Sequence, residues 1–323
     1  MALVAFSVVF FFSLFRGDNI GIDTINYLDV RTHSEIDLSN IELDSNTKFF
    51  EFSTNFVYYL IENWHFPKRT IISFFSIVTF AFIYLSSKQF KVKLGYLLFF
   101  FTLGGLFLHS FNISRQIAAI SVVLYSLYFI FESPKKSILF FLYILIATSI
   151  HGACLYLSVL YIFRWVKISQ KKAVLAILLL SPFFLFNIIS PLNLLINYSP
   201  VFFVEHYYDD FNTRDVSILG YVAGFLCLGI QVLLLQYSPI NKRMTLFVVA
   251  ILVTCITGHL PTIIMRLFII FDFIVCLFYS EYLEKCNLKL RMPVKALMSL
   301  YFTYIFLSAV SRTPSIYPYN FCF

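Results

Sequence analysis

The chain has 323 residues, 60% of them hydrophobic and only 13% charged, with a mean hydropathy of +0.83. Soluble domains carry about a quarter charged residues, so this composition excludes a soluble globular or disordered protein and a cytosolic enzyme with an appended anchor. The net charge of +7 does not point to nucleic acid either, because 15 of the 24 Lys and Arg fall in five short clusters between apolar runs, the positive-inside pattern of cytoplasmic loops.

A helix needs about 20 apolar residues to cross a bilayer, and the basic clusters supply the register. The expected spans are 2–15, 70–87, 95–110, 112–132, 137–150, 152–166, 173–190, 216–237, 244–260, 262–284 and 296–311. The chain is therefore expected to be an all-α polytopic membrane protein with about 11 transmembrane helices, forming a single transmembrane domain over residues 1–323. Its first span is short and lacks the basic n-region and small-residue cleavage site of a secretory signal. It is expected to be retained, and an initiation site further upstream would lengthen it.

Placing Lys88/Lys91/Lys93, Lys135/Lys136, Arg164/Lys167/Lys171/Lys172, Lys242/Arg243 and Lys285/Lys289/Arg291/Lys295 inside makes the amino terminus cytoplasmic. Other residue classes sort the same way. Twelve of fourteen Lys fall inside, with Lys48 and Lys68 the exceptions, and 13 of 17 Asp and Glu fall in the outer segments 16–69 and 191–215. All six His lie outside or at outer helix ends. Within 16–69 the amphipathic stretch Phe50–Asn63 is expected along the membrane interface. The six Cys show no CxxC or paired spacing, so neither a disulfide nor a cysteine-bound metal is expected.

An ionisable group within a span costs several kcal/mol and is a functional candidate by default. In chain order, the first group is Arg16-Gly17-Asp18-Asn19-Ile20-Gly21-Ile22-Asp23-Thr24-Ile25-Asn26-Tyr27, which combines an Arg, a glycine turn, a carboxylate and an aromatic. It suits sugar binding, and it equally matches an ordinary polar loop. Next, Asn112, Arg115 and Gln116 stand at i, i+3 and i+4 and would share one face of a helix that opens there. Guanidinium donors beside free backbone N–H groups make an anion site suited to phosphate. The plainer alternative is an Arg snorkelling to the headgroups. His151, followed by Gly152, interrupts an apolar run and marks a hairpin apex or a broken helix at the outer face. It is either a turn cap or a group that takes a proton near neutral pH.

Further along, His206 with Asp209 and Asp210 invites a metal but lacks a full ligand set, and none is expected. Arg266 lies about one and a half turns beyond Pro261, too deep for easy snorkelling. Asp272, near mid-span, has no role that the sequence supplies. Tyr317-Pro318-Tyr319 reads as an interfacial aromatic anchor.

Neither a Walker A loop nor a dinucleotide glycine fingerprint is present, so no nucleotide cofactor is expected. A lipid-diphosphate-linked sugar fits an outward-facing set of arginines, carboxylates and a His, because it carries its own leaving group. Arginines would neutralise the departing diphosphate, and a carboxylate or His would deprotonate an attacking hydroxyl.

Four ordered segments carry a family resemblance: Arg16 through Tyr27, Asn112-x-x-Arg115-Gln116-x-x-Ala119, Ala147-Thr148-Ser149-Ile150-His151, and Arg266 with the terminal Tyr317-Pro318-Tyr319. On these the chain resembles the EpsG-like group of Wzy polysaccharide polymerases, which includes O-antigen polymerases of Gram-negative bacteria. The resemblance implies a GT-C-like helical bundle without cofactor or metal, in the bacterial inner membrane with its active face periplasmic. It implies undecaprenyl-diphosphate-linked oligosaccharides as substrates, joined by transfer of the growing chain to a fresh repeat unit. Asp23, His151, Arg115 and Arg266 would be catalytic. Arg16, Tyr27, Asn112, Gln116, Arg214, Asp209 and Asp210 would bind substrate. A Wzz-type chain-length regulator and a Wzx-type flippase would be its partners. The rivals are a lipid-linked sugar flippase or transporter, an O-antigen ligase using the same donor, and a membrane acyltransferase built on His151.

Overall fold

A computed structural model describes residues 2–21, 23–29, 51–185, 228–230, 232, 234–235, 243–257, 262–285 and 288–312. The described elements are helical, with no strand among them. They group into two compact units. The first comprises residues up to Ile162 together with Tyr279–Glu284 and those from Phe302 on, and the second comprises Phe163–Phe278 and Lys285–Tyr301.

The first unit opens with α1 (Ala2–Leu14), the short α2 (Thr24–Leu28) and α3 (Phe52–Asn63). It continues through α4 (Thr70–Gln89), α5 (Leu94–Leu103), α6 (Leu106–Asn112), α7 (Ser114–Phe131) and α8 (Ile138–Ile150). At about 1.5 Å per residue α4 covers the hydrocarbon thickness of a bilayer. Its Ile71, Phe75, Thr79 and Ile83 recur every four residues on the buried side. Buried on nearly every face, α7 forms the centre of this unit and packs against α4 and α8. Small residues permit that close approach: Ala118, Ala119, Ser121 and Ser126 are fully buried. The two serines return their hydroxyls to the carbonyls of Ala118 and Val123, each at 2.6 Å, so neither hydroxyl is stranded in its apolar setting.

The abundance of Phe is spent on edge-to-face packing. Phe80 of α4 meets Phe6 and Phe10 of α1 at 5.6 and 5.5 Å between ring centroids. Phe82, Tyr125 and Tyr143 join α4, α7 and α8. Opposite faces stay apolar and open: Leu142 and Leu145 of α8 are exposed, as lipid-facing side chains are.

Three expected spans differ from those observed. Residues 95–110 were expected to form one helix, yet α5 and α6 are bent by 62°. The break lies at Gly104-Gly105, where Gly105 takes φ +86°, a left-handed value that glycine adopts without steric cost. Residues 112–132 were expected to open their helix at Asn112. That residue instead ends α6, and Ile113 at φ −120°, ψ 49° separates it from α7. Finally, Gly152–Arg164 forms a 3-10 helix. Its buried residues, Cys154, Leu157 and Leu160, recur every third position, the period of that helix, and its rise of about 2 Å per residue lets a short segment reach further.

The second unit contains α9 (Gln170–Leu185), α10 (Met244–Thr257), most of α11 (Thr262–Lys285) and the first half of α12 (Leu288–Arg312). Gln170 donates to the carbonyl of Leu235 at 2.6 Å, and Thr245 donates to that of Val166 at 2.9 Å. Among the described residues, Thr70–Gln89 and Ser114–Phe131 are each long and apolar enough to cross a membrane alone, and the bent pair α5–α6 makes a third candidate. That is what the described residues support of the eleven spans expected. The span 216–237 falls largely outside them, as do segments 30–50 and 191–215.

Candidate functional site

Two polar clusters occupy the first unit where α1, α6, α7 and α8 meet residues 16–29 and 51–69, as far as these are described. The deeper one is organised by Arg16, which is fully buried. Its Nη1 donates to the carbonyl of Ser110 at 3.1 Å and its Nη2 to Ser114 Oγ at 2.7 Å. The guanidinium stands 5.3 Å from the ring centroid of Phe111, within cation–π range. Arg16 thus clamps both sides of the α6–α7 break, through a carbonyl near the end of α6 and the hydroxyl of the first residue of α7. The following loop closes on the same point. Gly21 adopts φ +90°, and a Cβ there would lie 2.2 Å from the Phe111 carbonyl oxygen, so no other residue fits. Thr24 Oγ1 donates to the carbonyl of Ile20 at 2.6 Å, and Arg69 holds both Asp18 and the carbonyl of Arg16.

The shallower cluster is centred on Glu51. Its Oε2 accepts from Arg115 Nη1 at 2.6 Å. Its Oε1 accepts from the backbone N–H of Gly152 at 3.2 Å and lies 3.5 Å from His151 Nδ1. Arg115 occupies the first turn of α7, while His151 ends α8 in extended backbone, φ −145°, ψ 109°. Glu51 reaches both because the start of α3 docks onto the end of α8. Ser53 Oγ bonds Ser149 Oγ at 2.6 Å, and Thr54 Oγ1 donates to the carbonyl of Ile150 at 2.8 Å. Side-chain exposures of 27%, 15% and 21% for Arg115, Glu51 and His151 leave the trio open to a ligand, unlike Arg16.

Two tyrosines close one side. Tyr58 of α3 donates its hydroxyl to the carbonyl of Tyr27 at 3.2 Å. Tyr27 stands close enough to Arg115, at the start of α7, for both its charge and its backbone N–H to bear on the phenol. Burial holds the Tyr27 phenol above its ordinary range despite the opposing charges of Arg115 and Arg16, and burial likewise raises Tyr58. Both are neutral donors near pH 7. Burial also pushes on Glu51, but the nearby His151 imidazole, the charge of Arg115 and the Gly152 N–H outweigh it, so the carboxyl sits below its ordinary range and is ionised.

The geometry available is a half-open guanidinium and an imidazole joined by one carboxylate. With Nδ1 turned to Glu51, His151 has Nε2 left for a substrate proton. Asp23 precedes α2 and is half-buried, one helical turn from Tyr27 and near enough to bear on its phenol. Asn112 is half-buried at the end of α6 and Gln116 is buried in α7, so these two do not share a helix with a common face toward Arg115. Arg266 lies half-buried in α11, in the second unit. Asp209, Asp210, Arg214 and Tyr317–Tyr319 lie outside the described residues. Among the described residues no three His, Cys, Asp or Glu side chains stand together as metal ligands.

Sequence reasoning singled out Arg115 and His151 and missed Glu51, Tyr58 and Arg69. The signal for Glu51 was an acid set directly against Phe49, Phe50 and Phe52, where a solvated loop would not place one.

A family model described as the EpsG family matches residues 1–321. No curated protein and no solved structure matches the chain.

Proposed function

The chain belongs to the EpsG family, and from that premise we propose that it is a Wzy-type polysaccharide polymerase in the bacterial inner membrane. It joins undecaprenyl-diphosphate-linked oligosaccharide repeat units on the periplasmic face, in O-antigen or related surface polysaccharide synthesis. The observation that carries this reading is the pairing of Arg115 with His151 through one half-open carboxylate. A diphosphate leaving group needs the first, and a sugar hydroxyl that must lose a proton needs the second.

In this mechanism His151 Nε2 takes the proton from the acceptor hydroxyl at the non-reducing end of the new repeat unit. The hydroxyl oxygen bonds to the anomeric carbon of the growing chain, and the bond from that carbon to the diphosphate oxygen breaks. Undecaprenyl diphosphate departs with its charge met by Arg115, an electrostatic stabilisation realised most fully in the transition state. Arg266 and Arg214 are further diphosphate ligands in this scheme, with Asp209 and Asp210 binding sugar. Asp23 is the alternative base, or orients the acceptor beside Tyr27, Asn112 and Gln116. Arg16, fully buried, acts from beneath by holding the α6–α7 break. A GT-C-like bundle, a cytoplasmic amino terminus, a Wzz-type regulator and a Wzx-type flippase complete the proposal.

The test is the size profile of surface polysaccharide in a deletion strain. Loss of the ladder, with single repeat units still reaching the surface lipid, is expected. The bent α5–α6 pair favours a second reading, a lipid-linked sugar flippase, since transporters build their sites on interrupted helices. Loss of even the single unit would favour that flippase or a ligase, and an unchanged profile would overturn both.

A further inference from the structure

Glu51 is the residue of this cluster to which the polymerase scheme gives no task. It is one carboxylate with two oxygens, and they go to different partners: Oε2 to Arg115 at 2.6 Å, Oε1 to His151 Nδ1 at 3.5 Å and to the Gly152 N–H at 3.2 Å. A carboxylate needed only to neutralise Arg115 would have no reason to be anchored at the apex of α8. Here the anchor is built twice over, by Ser53 on Ser149 and by Thr54 on the Ile150 carbonyl. We infer that Glu51 is a positioning residue that couples the diphosphate-binding cation to the proton acceptor, one carboxylate oxygen serving each. This inference rests on the polymerase reading and assigns the residue that makes its two halves work together.

The coupling follows from electrostatics. While the site is empty, Arg115 is neutralised mainly by Glu51, so the carboxylate's hold on the imidazole is shared. A diphosphate arriving at Arg115 takes up part of the guanidinium charge. Glu51 is then freer to support a positive charge on His151, which is the charge that develops as the acceptor hydroxyl is deprotonated. Donor binding thereby prepares the base, and a site without donor is a poorer catalyst of stray hydroxyl activation. Among the described residues, the other titratable groups facing Glu51 are Tyr58 of α3 and Cys154 of the 3-10 helix. Neither carries charge near neutral pH, so the exchange is between Arg115, Glu51 and His151.

The experiment compares the full-length chain with Glu51→Gln, reconstituted in bilayers. Binding is measured with undecaprenyl diphosphate, and polymer formation is followed against pH in membranes that supply the native lipid-linked repeat unit. Removing the competing anion should leave diphosphate binding intact or tighten it, by up to about tenfold. The polymerisation rate should fall on the order of 100-fold, the contribution of a well-placed base. The acid limb of the rate profile should move to lower pH, because the imidazolium loses its counter-charge. In an Arg115→Ala background, Glu51→Gln should no longer change diphosphate binding. A parallel loss of binding and rate with an unmoved pH profile would mean that Glu51 is merely structural, and would overturn the coupling. Failure of the unaltered chain to bind undecaprenyl diphosphate would instead overturn the polymerase reading itself. Should Glu51→Gln not accumulate, Glu51→Asp keeps the charge but loses reach. It should bind diphosphate as the unaltered chain does, with a rate lowered about tenfold, and normal rates would overturn the inference.

Discussion

Two arginines within the first unit solve the problem of a cation among apolar helices in opposite ways. Arg16 is sealed: its guanidinium is spent on the Ser110 carbonyl, Ser114 Oγ and the Phe111 ring, and none of its surface is exposed. Arg115 is half-open, and its bond to Glu51 comes from a segment that other contacts hold in place. Sequence reasoning treated both as candidate ligands for diphosphate. The contrast is one of access: the Arg115 guanidinium is part exposed, whereas that of Arg16 is enclosed by the chain.

That comparison breaks most sharply in the sealed region. Arg16→Met should remove two charge-assisted hydrogen bonds and cost about 3 kcal/mol or more, seen as loss of folded protein and a lower melting temperature in detergent. Gly21→Ala should act similarly. Its left-handed backbone alone costs about 1–3 kcal/mol in another residue, and the Cβ would overlap the Phe111 carbonyl. Normal accumulation of both variants would show that the α6–α7 break does not depend on this clamp.

In the half-open region the expected signature is reversed. Arg115→Ala should insert and accumulate, yet lower polymer formation by about 100- to 1000-fold. Arg115→Lys should restore little of it, because an ammonium cannot replace a planar fork of donors. Full activity of the alanine variant would remove Arg115 from the site.

A smaller effect concerns acid. Glu51 is held below its ordinary value of 4.5 in the folded protein, so its carboxylate contributes stability above the ordinary carboxylate range. That contribution is lost as pH falls through the depressed value. Melting temperature measured against pH should drop on the acid side, and Glu51→Gln should flatten that drop. An identical slope in the variant would assign the sensitivity to other carboxylates. The smallest change is expected from Ser53→Ala, which removes one partly exposed hydrogen bond to Ser149. It should cost about 1 kcal/mol and lower activity only modestly, by loosening the start of α3.

Hydropathy and charge periodicity by themselves determined that this chain is a helical membrane protein. Residue order alone also located a helix opening near Arg115 and an apex at His151, since capping and breaking depend on nearby residues. Motif order was enough to reach the family to which the chain belongs. What only the tertiary structure decided were relations between distant segments. Glu51 meets Arg115 across 64 residues and Gly152 across 101, and Arg16 reaches Ser114 across 98. The bend at Gly104-Gly105 was equally hidden, because an apolar run reads as one span whether or not its backbone bends. The physical reason is the same in each case. Hydropathy is summed residue by residue, whereas whether a charge is sealed or available depends on which remote donor or acceptor packing brings within about 3 Å of it.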